Sequence, residues 1–95
     1  MIKHIVLFKM KDRSPERIEE AANVLRNLEG KIDVLVSLDV GIDVLRSDRS
    51  FDISLTAEFA SLDDLQAYQV HPLHQEVIKY MNEVREQSIA VDYEF

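Results

Sequence analysis

Between Ile32 and Val44 the chain alternates for thirteen positions: Ile32, Val34, Val36, Leu38, Val40, Ile42 and Val44 fall on one side, with Asp33, Ser37, Asp39, Gly41 and Asp43 among the other. Period two sustained this long predicts a long strand with one buried face. A polar turn from Arg46 to Ser50 follows. Phe51, Ile53, Leu55, Ala57 and Phe59 then alternate with Asp52, Ser54, Thr56 and Glu58, which predicts the antiparallel partner of that strand.

The opening run is apolar on both sides. Ile2, His4, Val6, Phe8 and Met10 share one strand face, and Lys3, Ile5, Leu7 and Lys9 share the other. A side open to water has no use for Ile5 and Leu7, so a helix layer or another subunit is expected to cover it. Ser14 and Pro15 predict an N-cap and first helical position, with Glu16 adding favourable charge, and Gly30 is expected to close that helix. Its apolar stripe is Ile18, Ala21, Ala22, Leu25 and Leu28, opposite Arg17, Glu19, Glu20, Asn23 and Arg26.

After the hairpin, Ser61 and Asp64 have capping-box spacing, with Leu62 and Leu65 on the buried side of the helix they open. Pro72 disfavours helical geometry at His71 and suits the first turn of a new helix, so a break is predicted there. The new segment carries Leu73, Val77, Tyr80, Met81 and Val84 on one stripe. Gln87 to Phe95 reads as a last strand, with Ile89, Val91, Tyr93 and Phe95 on one face and Ser88, Ala90, Asp92 and Glu94 on the other.

The predicted order, strand, helix, strand, strand, broken helix, strand, makes residues 1–95 a single domain. It is an α+β, ferredoxin-like sandwich whose four-stranded antiparallel sheet is covered on one side by helices. An isolated monomer of this size conceals only about 60 to 65% of its unfolded surface. The uncovered sheet face is mixed rather than polar. Both features point to a homodimer in which two sheets face each other and close into a dimeric α+β barrel.

Eighteen acidic against eleven basic residues give a net charge of −7, which repels phosphate backbones and anionic membranes. The only basic cluster, Lys3, Lys9, Lys11 and Arg13, is interleaved with apolar residues rather than exposed aromatics, so no nucleic-acid partner is expected. The absence of cysteine excludes disulfides, thiolate metal ligands and a thiol nucleophile, and suits the cytosol. No charged-then-apolar leader is seen, and the longest apolar run, Ile5 to Phe8, is far short of the ~20 residues that span a bilayer. A soluble cytoplasmic protein without a membrane partner is expected. Gly30 and Gly41 are the only glycines and leave no phosphate-cradling loop.

Chemistry concentrates between Tyr68 and His74, where two of the three histidines and one of the three tyrosines surround a proline. At ~100° per residue, His74 falls between Met81 and Ile78, at the edge of the apolar stripe. It is either a packed residue whose ring nitrogens find a carbonyl or water, or a near-neutral base in a pocket. His4 shares the face of Val6, Phe8 and Met10 and is expected to be buried, where the first strand and the broken helix can bring it to the same cavity as His74. Tyr68 is expected at the rim of its helix, as a half-buried ring with a wet hydroxyl or as a donor to a carbonyl or enolate oxygen. His71 is expected to cap or pack at the break, with substrate binding as its functional alternative. His71 and His74 have a spacing that suits a metal, but Pro72 bends the backbone between them and no third ligand is adjacent, so neither metal nor other cofactor is expected.

The strand Lys-His-Ile-Val-Leu-Phe-Lys-Met-Lys around His4, followed by Tyr-Gln-Val-His-Pro-Leu-His from Tyr68 to His74, resembles the stress-responsive dimeric A/B-barrel (Dabb) family. The likeness extends over essentially the full length. It implies a ferredoxin-like subunit in a homodimer, with helices outside and the two sheets facing across the interface. It also implies a choice of roles. Some plant members are stress-induced proteins of high stability, and one branch, similar to olivetolic acid cyclase, closes a linear polyketide by a cofactor-free aldol reaction. In that branch the positions matching His74 and Tyr68 are base and hydroxyl partner, and the position of His4 lines the pocket. It also places a tyrosine on the first helix, where this chain has Leu25 and Arg26. The expected function is a pocket for a small, partly apolar molecule, with cofactor-free acid/base chemistry of cyclase or lyase type. The alternatives are a non-catalytic stress-associated structural or binding protein, and a cofactor-free monooxygenase.

Overall fold

A strand that is apolar on both faces belongs in the middle of a sheet, and Ile2–Met10 lies there. The computed structural model describes residues Met1–Phe95 as β1 (Ile2–Met10), α1 (Pro15–Arg26), β2 (Ser37–Ile42), β3 (Ile53–Phe59), α2 (Leu62–Val70), α3 (Pro72–Val84) and β4 (Arg85–Glu94). The strands form one antiparallel sheet in the order β2-β3-β1-β4, so β1 is flanked by β3 and β4. This is the α+β ferredoxin-like fold that the pattern of residues predicts.

Register builds the core. Ile2, Val6 and Phe8 stand opposite Phe59, Leu55 and Ile53, and Ile18, Ala21, Ala22 and Leu25 of α1 close over them. Burying each large side chain contributes about 1.5–3 kcal/mol, and alanines at the closest approaches let α1 lie near the sheet. Ser14 takes the N-cap position through its carbonyl, which accepts the Ile18 N–H at 3.1 Å, while its hydroxyl makes no capping bond; Pro15 starts the helix. No helix is long and apolar enough to cross a membrane.

The structure departs from the sequence pattern at several places, with β3 starting at Ile53 rather than Phe51 and β4 spanning Arg85–Glu94 rather than Gln87 to Phe95. The thirteen-residue alternation yields a strand only over Ser37–Ile42, because β3 ends at Phe59 and pairing begins where the Val36 N–H meets the Glu58 carbonyl. Residues before Val36 run past the end of their partner. Ile32 instead buries its side chain from a turn, its carbonyl accepting the Leu35 N–H, while Val44 is 93% exposed in the hairpin loop. Helix α1 stops at Arg26 rather than at Gly30, which takes φ 77° in the turns beyond, so Leu28 reaches the core from outside the helix. Leu62 and Leu73, expected on buried faces, stay exposed, because the buried faces of α2 and α3 run through Leu65 and Tyr68 and through His74 and Met81 instead.

The face of the sheet away from the helices has no cover within the chain. Ile89, Val91 and Tyr93 of β4 stand opposite Leu7, Ile5 and Lys3, and are about half exposed. The Lys3 ammonium sits 4.7 Å from the ring centre of Phe95. On the β2 and β3 side the same face is polar, with a hydrogen bond from Ser37 Oγ to Glu58 Oε1. The apolar half is a contiguous patch of the kind that marks an association surface.

Asp52 is fully buried just before β3. Its Oδ2 accepts the Met10 N–H at 2.8 Å and its Oδ1 accepts Arg13 Nε at 2.9 Å. Arg13 also donates from Nη2 to the Ser50 carbonyl at 3.1 Å, and Arg46 donates to the Arg13 carbonyl. The cluster ties the end of β1 to the hairpin loop. Replacing Asp52 with Ala leaves an orphaned amide and an unpaired, 29%-exposed Arg13, so a loss of about 2 to 3 kcal/mol is expected in urea denaturation. Asp52→Asn, which keeps one acceptor, is expected to lose less.

Candidate functional site

The site begins with a gap above the sheet. His4 points from β1 toward the helices, and its neighbour on β3 is Ala57, whose methyl leaves room for the imidazole. Its neighbour on β4 is Asp92, whose Oδ1 bonds His4 Nδ1. A carboxylate only accepts, so Nδ1 carries the proton and Nε2 is left for other chemistry. His4 is buried, as its face of β1 predicts.

Tyr68 comes from α2, which Ser61 opens by accepting the Asp64 N–H at 3.2 Å. Leu65 and Tyr68, a turn apart, form the buried side of this helix. Tyr68 is therefore not at a rim: it is 1% exposed, with its ring centre 4.9 Å from that of Phe59, 4.2 Å from that of His74 and 6.3 Å from that of His4. Its hydroxyl takes no side-chain or backbone partner, yet no sealed polar atom in the chain goes unpartnered, so this oxygen opens on the cavity. Burial pushes its pKa up to about 12. At neutral pH it is a protonated donor.

The Pro72 break positions His74. His71 caps α3 by accepting the Leu73 N–H on Nδ1 at 3.1 Å, and its carbonyl accepts the Gln75 N–H at 2.9 Å. The first turn of α3 thus folds back over the end of α2, and His74 Nδ1 donates to the Gln69 carbonyl at 3.1 Å. That bond fixes the tautomer and leaves Nε2 as the free lone pair. His74 is 9% exposed and, with Met81, lies at the centre of the buried face of α3 rather than at its edge. Burial lowers its pKa below the ordinary 6.5, helped by His4 and His71, against the opposing pull of the Gln69 carbonyl.

These groups share one cavity of about 240 Å³ between sheet and helices. His4, Tyr68, Gln69 and His74 line one end; Val6, Phe8, Leu25, Leu55, Val77 and Met81 supply apolar wall; Asn82, Arg85 and Ser88 line the other. The volume is below the ~300–1,000 Å³ of drug-sized sites, and suits a small molecule. His71 is not part of the lining; its ring is engaged at the helix cap. No three His, Cys, Asp or Glu side chains converge as a metal site would need.

Asp92 and Arg85 belong to the site without any motif announcing them. Asp92 sits on the polar face of β4, which reads as the solvent side until β4 is paired with β1. The signal is that the apolar face of β4 is the uncovered one, so its polar face turns toward the helices.

An unfolded chain binds a proton at His74 near pH 6.5, whereas the folded chain binds it only at lower pH. Stability is therefore complete above pH 6.5 and falls as the pH drops through 6.5 toward the folded value. Urea midpoints measured from pH 7.5 to 5 are expected to decline less for His74→Gln than for the wild type, and the His74 ring resonances to titrate below the ordinary imidazole range.

The sequence profile described as the Stress responsive A/B Barrel Domain matches residues 2–95. An uncharacterized protein of Streptomyces coelicolor is 31% identical over the whole of both chains. The stress-response A/B barrel domain-containing protein DABB1 of Arabidopsis thaliana is also 31% identical, over 98% of this chain but 46% of its own length, so the chain spans about half of that relative. Among solved structures, a dimeric protein of unknown function with a ferredoxin-like fold from Bacteroides fragilis superposes with a TM-score of 0.83 at 34% identity, covering 99% of this chain and 95% of its own.

Proposed function

The chain belongs to the stress responsive A/B barrel domain family, and from that premise we propose a homodimer whose cavity binds a small, partly apolar carbonyl compound and moves a proton next to its carbonyl group. The observation that carries this reading is the pairing of Tyr68 and His74. A neutral phenol with a free hydroxyl lies against a neutral imidazole whose other nitrogen is already anchored. His74 Nε2 takes a proton from the carbon beside the carbonyl, the C–H electron pair becomes the enolate double bond, and the Tyr68 hydroxyl donates to the enolate oxygen. The proton then returns to carbon, or a β-substituent leaves with the electron pair. His4, held by Asp92, binds at the same end as a second polar partner. His71 has a capping role in this scheme.

A His74 pKa below 6.5 weakens the base but keeps it unprotonated at neutral pH. Leu25 makes the α1 wall apolar where the cyclase branch has a tyrosine. A linear polyketide brings several carbonyl oxygens, and this wall supplies one phenol, so a substrate with a single reactive carbonyl, in lyase-type or exchange chemistry, fits better than ring closure.

Proton abstraction is read directly by exchange of the α-protons of 4-phenyl-2-butanone in deuterated buffer, followed by NMR. Wild-type protein is expected to exceed the buffer rate, with His74→Gln losing about 100-fold of the acceleration and Tyr68→Phe a comparable amount. Shifts of the His74 and Tyr68 resonances without exchange would make the protein a non-catalytic binder; no shift with any phenolic or carbonyl compound would overturn the pocket reading.

The apolar outer sheet supports the dimer, in keeping with the dimeric Bacteroides fragilis relative. Val91 is 53% exposed opposite Ile5, in the middle of that patch. Val91→Lys is expected to yield monomers in sedimentation velocity runs in which the wild type sediments as a dimer.

A further inference from the structure

The end of the cavity away from the histidines contains its one fixed charge. Arg85 is the residue at which α3 passes into β4. In β4, Ser88 pairs with Phe8 and Gln87 with Lys9, so regular pairing would set Glu86 opposite Met10. Met10 instead faces Arg85: one extra residue is accommodated at Glu86. Bulges of this kind redirect a side chain. Here the shift brings Arg85 onto the face of Met10 and Phe8, toward the helices and into the cavity wall. Without it Arg85 would point to the outer face.

The guanidinium arrives without a counter-ion. Five of the eleven basic residues, Lys3, Lys9, Arg13, Arg17 and Arg26, have a carboxylate partner; Arg85 is among the six that have none and is the only one of the eleven lining the cavity, where no Asp or Glu is present. Its Nε and Nη2 both donate to Asn82 Oδ1, at 3.2 and 2.9 Å. Those bonds hold the side chain by one edge. Of the five N–H donors, the two on Nη1 and one on Nη2 remain, and they form the end-on edge that matches a carboxylate in bidentate geometry. In a chain of net charge −7, a half-buried, oriented and uncompensated arginine on a cavity wall is an unusual use of a cation. The attachment points of His74 and Arg85 are eleven residues apart along α3, roughly 16 Å, with apolar wall between them.

We propose that Arg85 is a carboxylate-binding residue and that the ligand is an elongated, apolar monocarboxylate whose carbonyl end reaches Tyr68 and His74. The assignment rests on the pocket reading above and adds the substrate class to it. The anion docks on the Nη1/Nη2 edge, the apolar body fills the middle, and the charge fixes which end meets the histidines. Asn82 is the positioning residue for the guanidinium.

The test compares 4-phenylbutyrate with 4-phenylbutanamide, matched in shape and differing in charge. Dissociation constants come from NMR shifts of the His74 and Tyr68 rings in the full-length protein. The wild type is expected to bind the acid at least about tenfold more tightly than the amide. Arg85→Gln is expected to bring the ratio to about one by weakening the acid far more than the amide, and Arg85→Lys, which keeps the charge without the fork, to fall between. Equal binding of acid and amide by the wild type, with the ring resonances still moving, would overturn the role of Arg85 and leave the pocket standing. A preference for the acid that survives in Arg85→Gln would overturn it too. If neither compound moves the rings, this assignment is overturned, and the pocket reading falls with it only if 4-phenyl-2-butanone and the other carbonyl and phenolic compounds leave the rings unmoved as well.

Discussion

The rest of the structure depends on the double pairing of β1. From Ile2 to Phe8 each inward side chain of this strand is flanked in register by one residue of β3 and one of β4: Phe59 and Glu94 beside Ile2, Ala57 and Asp92 beside His4, Leu55 and Ala90 beside Val6. A slip of one residue would send every one of these to the wrong face. The small Ala57 gives His4 its space and Asp92 gives it its hydrogen bond. Neither neighbour can be read from the motif around His4, because both arrive from distant parts of the chain. The Asp52 cluster holds the far end of the same strand against the hairpin loop, so the register is pinned at both ends.

Against this rigid floor, the helix break supplies the rest of the site. A proline that cannot continue α2 can begin α3, and the histidine before it caps the new helix with its own ring. Folding one helix end over another brings Tyr68 and His74 into ring contact and gives the His74 proton a carbonyl to rest on. The same burial lowers the basicity of the imidazole and raises the pKa of the phenol. Both shifts have one leading cause, the loss of water around the groups, and both favour the neutral form.

Much of the fold is visible in period and punctuation: the alternation of β1 and β3, the Ser14-Pro15 and Ser61 starts, and the break at Pro72 all mark real boundaries. The long alternation from Ile32 is where pattern misleads. Period two records which side chains want burial, and Ile32 obtains burial from a turn because no partner strand reaches it. In the site, His4 on an inward face follows from alternation alone. The depth of Tyr68 does not, since α2 has too short an apolar stripe to show which face is covered. Asp92 and Arg85 are invisible for a different reason: one needs the pairing of the two ends of the chain, the other a single-residue irregularity in that pairing.

The sheet also carries a numbering rule. Along β1 the even-numbered residues lie on the helix side of the sheet, with His4, Val6 and Phe8 lining the cavity, and the odd-numbered ones on the outer side; along β4 the same parity holds from Ser88 to Glu94. Ligand chemistry and surface association are thus written on alternate letters of the same two words, a few ångströms apart but separated by the thickness of one pleated layer. Each can drift without spoiling the other, so that relatives can keep one way of pairing while their cavities diverge. Arg85 is the single inward residue of odd number in β4, and the irregularity at Glu86 is where the two interleaved texts exchange one character.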